Sequence, residues 1–442
     1  MKTFGFKLVS YRWWNRLLIY TLFCFSTFTI AGENISITGL YAIFLLRFFR
    51  NRNLWKVPHP VFYTLLIFLF FNILSGLTSP YSHGAGFALR DNLHLFLPWI
   101  LYFALEDVDE QTLLRLFFYF LVLISIYGII QYFTGADWFR TLEKQSPTPY
   151  KHPCYSLYGY TDIFHAKGNF THHLTYGGVL LLCFPLFVSL SFCKEISKNY
   201  RRVFKAGSVV IFTAILASLA RSIWLGSMFA LLVLCFRLPK KWLILIVCIG
   251  IGMMSAMLWH YTFKDQKLSE KVTGPGLIWQ RLESGFVLKY NQDRYLLWQS
   301  AWQAIKDHPW FGIGLNNDGE VMPRYRKPII KETGHQFFNS ASAGVHNIYL
   351  QTWVNLGIFG LISYIMIWVS FFLAVWQTLR NSRVISKYNI SLIWGGFAGI
   401  SGFLVAGIFE NNFRDSEVQT VLLMIMALVL NAARKNKISK PY

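Results

Sequence analysis

The chain has 442 residues, of which 54% are hydrophobic, 18% aromatic and only 14% charged. Soluble domains carry about a quarter charged residues, so the composition excludes an ordinary soluble protein and points to a membrane one. The formal charge of +21 could suit nucleic acid, but the placement of the basic residues accounts for it without such a partner.

In chain order, about twelve apolar runs reach or approach the roughly 20 residues that cross a bilayer. They lie near 16–31, 35–49, 58–77, 93–105, 112–134, 173–193, 203–220, 222–236, 242–259, 358–378, 390–409 and 417–433, the second and fourth being short. In lipid the backbone must satisfy itself, so these runs are expected to be helices. They are too long and too uniformly apolar for barrel strands. The first run follows Lys2, Lys7, Arg12 and Arg16 without a convincing cleavage site, and reads as a retained helix. The fold class expected is an all-α polytopic membrane protein.

With the N-terminus in the cytoplasm, 24 of the 42 basic residues fall on the cytoplasmic side, with only 5 of the 21 acidic ones. This positive-inside bias sets the orientation, with both termini cytoplasmic. The outer side carries two long segments, about 135–172 and 260–357. The chain therefore divides into helices one to nine with the smaller loop (1–259), a large loop (260–357), and helices ten to twelve (358–442). Of six cysteines only Cys154 lies in an outer loop, so no disulfide framework is expected.

Within the large loop, "RYLLWQSAWQAIKDHPWFGIG" sets Trp298, Ala301, Trp302 and Ile305 at helical spacing. An amphipathic helix is expected from Arg294 to Lys306, stopping at His308-Pro309. "PRYRKPIIK" (323–331), bounded by prolines, reads as an extended loop. "HNIYLQTWVNLG" reads as a short helix that breaks at Gly357 and leads into the tenth run.

No Walker loop, GxSxG or dinucleotide fingerprint occurs, and no zinc spacing. The candidate residues are those that topology leaves over. Arg90, Arg221 and Arg414 sit in short outer turns or at span ends. A charge at membrane depth costs about 2.5–3.5 kcal/mol on insertion scales, so Arg221 either reaches headgroups, pairs with Glu410 or Asp415, or holds an anion. Arg294 opposes the helix macrodipole, and either pairs with Asp293 or another carboxylate or binds phosphate. His346 is a hydrogen-bonded structural residue or a chemical one. His172 and His173 rival it, but adjacent residues on a helix diverge, so a paired metal site is not expected. Arginine forks suit a diphosphate, aromatic faces suit sugars, and an outer membrane-edge cavity suits a lipid-linked substrate.

"ARSIWLG" (220–226), "RYLLWQSAWQAIKDHPWFGIGLNN" (294–317) and "HNIYLQTWVNLGIFG" (346–360) carry a resemblance. The chain resembles the O-antigen ligase family, polytopic membrane glycosyltransferases related to O-antigen polymerases. The resemblance implies a GT-C-like fold and a periplasmic active site in the bacterial inner membrane. It implies metal-independent, inverting transfer of a glycan from undecaprenyl diphosphate to lipid A–core, with no cofactor and no nucleic acid. It places Arg221 and Arg294 on the family's diphosphate-binding arginines and His346 on its catalytic histidine. Asn347, Gln351 and Arg90 match more weakly as substrate-binding residues. Two alternatives remain: a polymerase using the same donor, and a transporter of lipid-linked sugar.

Overall fold

The computed structural model describes residues 11–50, 54, 59–81, 92–138, 154, 164–237, 288–334, 344–380 and 385–438. The expected ninth run at 242–259 and Arg90 lie outside the described residues. All regular elements described are helical. They are α1 (Tyr11–Phe25), α2 (Ile30–Arg50), α3 (Pro60–Thr78), α4 (Leu97–Ala104), α5 (Glu110–Thr134), α6 (His173–Ser191) and α7 (Lys198–Ala217). They continue with α8 (Arg221–Cys235), α9 (Leu288–Asp307), α10 (Asp318–Thr333), α11 (Ile348–Arg380), α12 (Lys387–Ala406) and α13 (Ser416–Ile438).

Six of these, α3, α5, α6, α11, α12 and α13, are long and apolar enough to cross a membrane. α8 is apolar but has only 15 residues. The protein is thus a multi-pass, all-helical membrane protein in which six of the twelve expected crossings meet the length and hydropathy requirement among the described residues.

α6 and α13 form the buried centre of the bundle. α12 lies against both α6 and α8, and glycines allow the approach. A Cβ on Gly226 would stand 2.5 Å from the Gly402 carbonyl, and one on Gly402 would stand 2.4 Å from the Gly226 carbonyl. Without a hydrophobic drive between helices in lipid, such close backbone contact is a main source of packing energy.

α9, α10 and the first turns of α11 build a second, smaller core from Ala301, Ala304, Ile305, Ile313, Val321, Met322, Val345 and Val354. The amphipathic helix expected at Arg294–Lys306 is therefore present, within the longer α9, and its small residues face inward. Trp302 faces out and is 46% exposed.

The segment 323–331 is not an extended loop. It is part of α10, with Pro323 and Pro328 inside the helix. Each proline removes one backbone hydrogen bond. The helix persists because Asp318, Val321, Met322, Arg326 and Ile329 recur at helical spacing and are all buried. Gly334, at φ 66°, ends it in the left-handed conformation.

α11 is broken where expected, at Gly357 (φ 69°, ψ −172°). The break frees the carbonyls of Val354 and Asn355, which accept from Ile313 N and Gly314 N at 2.9 Å each. Ile358 N donates to Pro309 O at 2.9 Å. The single hydroxyl of Ser75 on α3 is shared between Phe311 O (2.6 Å) and Asn355 O (2.9 Å), and Ser79 Oγ, just past α3, donates to Ile313 O (2.7 Å). The outer core is thereby stitched to two membrane helices.

Candidate active site

The first half of α11 docks on the C-terminal end of α12. Ile348 N donates to Gly407 O at 2.8 Å, and Tyr349 Oη donates to Leu404 O at 2.9 Å. Asn347 Oδ1 accepts from Leu350 N at 2.9 Å and so caps the helix. Just before this cap the chain turns through His346, whose φ is 52°. A left-handed non-glycine residue costs on the order of 1–3 kcal/mol and is concentrated at functional sites.

That turn brings His346 Nδ1 to 2.9 Å from Glu410 Oε1. Glu410 is buried, at 5% exposure. Burial disfavours its charge, yet the His346 hydrogen bond and charge, Arg294 and the Asn411 N–H outweigh it and hold the carboxyl below its ordinary value. An ionised carboxylate only accepts, so Nδ1 carries a proton, and whenever the ring is neutral its lone pair lies on Nε2. Arg294 approaches from α9, its Nη2 3.9 Å from Glu410 Oε2. Glu410 is therefore the carboxylate beside Arg294. Trp298 on the same helix donates from Nε1 to Val345 O at 3.1 Å, which fixes the residue before His346.

Arg221 opens α8 directly after a turn whose Leu219 also has positive φ (56°). Ser218 O in that turn is 3.0 Å from His165 Nδ1. His165 and His172 flank His173, with ring centroids 4.3 and 4.2 Å away. The divergence expected of His172 and His173 does not occur, because His172 is extended (φ −132°, ψ 146°) and caps α6 rather than lying in it. Burial lowers the His172 pKa, and Glu410 and His346 act on it electrostatically, so this edge of α6 borders the same site. Among the described residues no group of His, Cys, Asp and Glu side chains could hold a metal ion.

Gln351 is buried at 1% exposure. Its Oε1 accepts from Val345 N (2.8 Å), and its Nε2 donates to Asp318 Oδ1 (2.5 Å) and Asn355 Oδ1 (3.0 Å). Asp318 is bridged in turn by Arg414 Nη1 at 2.7 Å. Asn347 and Gln351 thus hold the backbone on both sides of His346. From the sequence Glu410 is expected only as a pairing partner for Arg221. The signal for it was "FENNFRDSE" (409–417), in which four charges and two amides interrupt two apolar runs.

These features define a multi-pass membrane protein with a His–carboxylate pair and an arginine at one end of its bundle. Residues 206–365 match the family described as O-antigen ligase, and over that segment the chain is similar to that family. The match contains Arg221, Arg294, His346, Asn347 and Gln351, but not Glu410. A Haemophilus influenzae protein described as uncharacterized is 29% identical over 212 residues, which cover 45% of this chain and 49% of that protein. The match spans about half the length of that relative.

Proposed function

We propose that the protein is a metal-independent glycosyltransferase that moves a glycan from undecaprenyl diphosphate to a hydroxyl of lipid A–core at the periplasmic face of the bacterial inner membrane. The observation that carries this reading is the 2.9 Å contact between His346 Nδ1 and the buried Glu410. It leaves Nε2 as a base oriented from behind by a carboxylate, the arrangement that general-base chemistry needs.

In the reaction, the acceptor oxygen attacks the anomeric carbon and its proton passes to His346 Nε2. The bond from that carbon to the diphosphate breaks, with inversion, and undecaprenyl diphosphate leaves with the bonding pair. Arg294 and Arg221 gather the charge that develops on it, as preorganised cations do in transition states. The family match, the place of Arg221 at the start of α8 and that of Arg294 beside Glu410 support this assignment. Arg90 is assigned to the same donor on its sequence position alone.

The test is the purified chain in detergent with undecaprenyl-diphosphate-linked glycan, with and without lipid A–core, in the presence of a chelator. Glycan on lipid A–core supports the ligase. Longer glycan still on the polyprenyl carrier identifies a polymerase, and loss of turnover in chelator that a divalent ion restores overturns the metal-free chemistry.

A further inference from the structure

Behind the His346–Glu410 pair, between α3, α11 and the start of α13, lies a cavity of about 460 Å³. Pockets of about 300–1,000 Å³ suit a small organic ligand. Amide side chains dominate its walls, among them Asn72, Asn355, Asn411 and Gln419. Its arginine, Arg414, is already engaged by Asp318 at 2.7 Å and by Asn316 at 2.5 Å. No Asp or Glu lines it among the described residues.

Gln419 is only 6% exposed, yet neither end of its amide makes a hydrogen bond among the described residues. Asn355 is 2% exposed; its Oδ1 accepts from Gln351, while its Nδ2 makes no hydrogen bond among the described residues. Amides that face a cavity are satisfied there by a polar ligand or by water. Each amide offers donors and an acceptor together, which matches a hydroxyl that donates and accepts. An anion would call for cations not already paired, and a lipid tail for an apolar wall. Phe68 and Phe413 add ring surface, their centroids 6.2 Å apart.

We propose that this cavity is a binding site for uncharged sugar residues, distinct from the cationic donor site at Arg294 and Arg221. It rests on the transferase reading for its purpose but not for its chemistry. Gln351 and Asn411 join the two places. Gln351 lines the cavity and holds Val345 beside His346, while Asn411 lines it and follows Glu410. A sugar held there presents a neighbouring ring to the catalytic pair.

The experiment uses the full chain in detergent and the variants Gln419→Leu and Asn411→Leu. Two probes are titrated by ligand-observed NMR: the oligosaccharide released by mild acid from the source strain's lipid-linked glycan, and its core oligosaccharide. Inorganic pyrophosphate serves as the donor-site control. The expected result is saturable binding of one oligosaccharide, weakened at least tenfold in each variant, with pyrophosphate binding and the thermal midpoint unchanged. Which oligosaccharide binds tells whether the cavity serves donor or acceptor. Binding of neither, or equal binding by wild type and both variants, overturns the proposal. Binding without any transfer keeps the cavity and removes the transferase reading; transfer with unaltered KM in both variants does the reverse.

Discussion

His346 and Glu410 stand 64 residues apart in the chain, yet Nδ1 of one and Oε1 of the other are 2.9 Å apart. Their meeting depends on the Ile348 N–Gly407 O bond, which fastens the start of α11 to the end of α12. In His346→Ala the base is gone, and transfer is expected to fall to background. Glu410→Gln keeps the shape but not the charge. It is expected to lower kcat by on the order of a hundredfold, within the range of general-base contributions, with little change in the KM for donor. Unchanged kcat in Glu410→Gln would remove the carboxylate from the chemistry.

Two carboxyls of the segment after α12 titrate in opposite senses. Glu410 lies below its ordinary value, so the stability it contributes is present above the ordinary carboxylate range and is lost only when pH falls through its depressed pKa. Asp415 is pushed up to about 6, first by burial and further by Glu417 and Glu410, against Thr175 and Arg414. Its charging therefore costs stability as pH rises from about 4 through 6. The thermal midpoint of Asp415→Asn is expected to exceed that of wild type at pH 7.5 and to converge with it at pH 4. Parallel curves over that range would contradict the burial of the charge.

Arg294 and Arg221 are expected to matter most to the leaving group. Arg294→Ala and Arg221→Ala should each reduce transfer at least tenfold while the folded protein is still recovered, and Arg294→Lys should restore only part. A bidentate fork is lost in the lysine, although a point charge remains. Full activity in both alanine variants would rule out the diphosphate site.

Gly357 meets two demands at once. Its φ of 69° is one that side chains rarely adopt, and a Cβ there would stand 2.1 Å from the Trp310 carbonyl. The dihedral alone costs about 1–3 kcal/mol, and the clash adds to it. Gly357→Ala is expected to lower the thermal midpoint and the yield sharply, whereas Gly319→Ala, with open space around it, should not.

Arg414 and Asp318 form one unit with Gln351. Arg414→Ala removes the 2.7 Å partner of the buried Asp318 carboxylate, leaving it the electrostatic pull of Arg326, and is expected to cost about 1–3 kcal/mol. Adding Asp318→Asn should recover part of the loss. A strictly additive double variant would mean that the two residues act apart.

Much of this was legible in the sequence, for definite reasons. Hydropathy marked the helices because lipid permits little else, and Gly357 announced a break because no other residue tolerates its backbone. His346 and Arg294 stood out because bilayer topology gave them no reason to be where they are. α10 was not legible: Pro323 and Pro328 spoke against a helix, and the burial that overrules them comes from Ala301, Ile305 and Val354 elsewhere in the chain. Glu410 was not legible as a site residue because its meaning arises only where the start of α11 meets the end of α12. The cavity amides were invisible because they are gathered from six separate stretches.

The bonds from residues 313 and 314 onto Val354 and Asn355 turn the break in α11 into a clutch between the outer unit and the membrane. One residue inserted between Trp353 and Gly357 would turn everything before it by about 100° around the helix axis. His346 would then be carried away from Glu410, which lies in the segment after α12 and would stay where it is. The two partners could be parted without either being altered, so the spacing from His346 to Gly357 is as much a part of the catalytic machinery as the residues themselves.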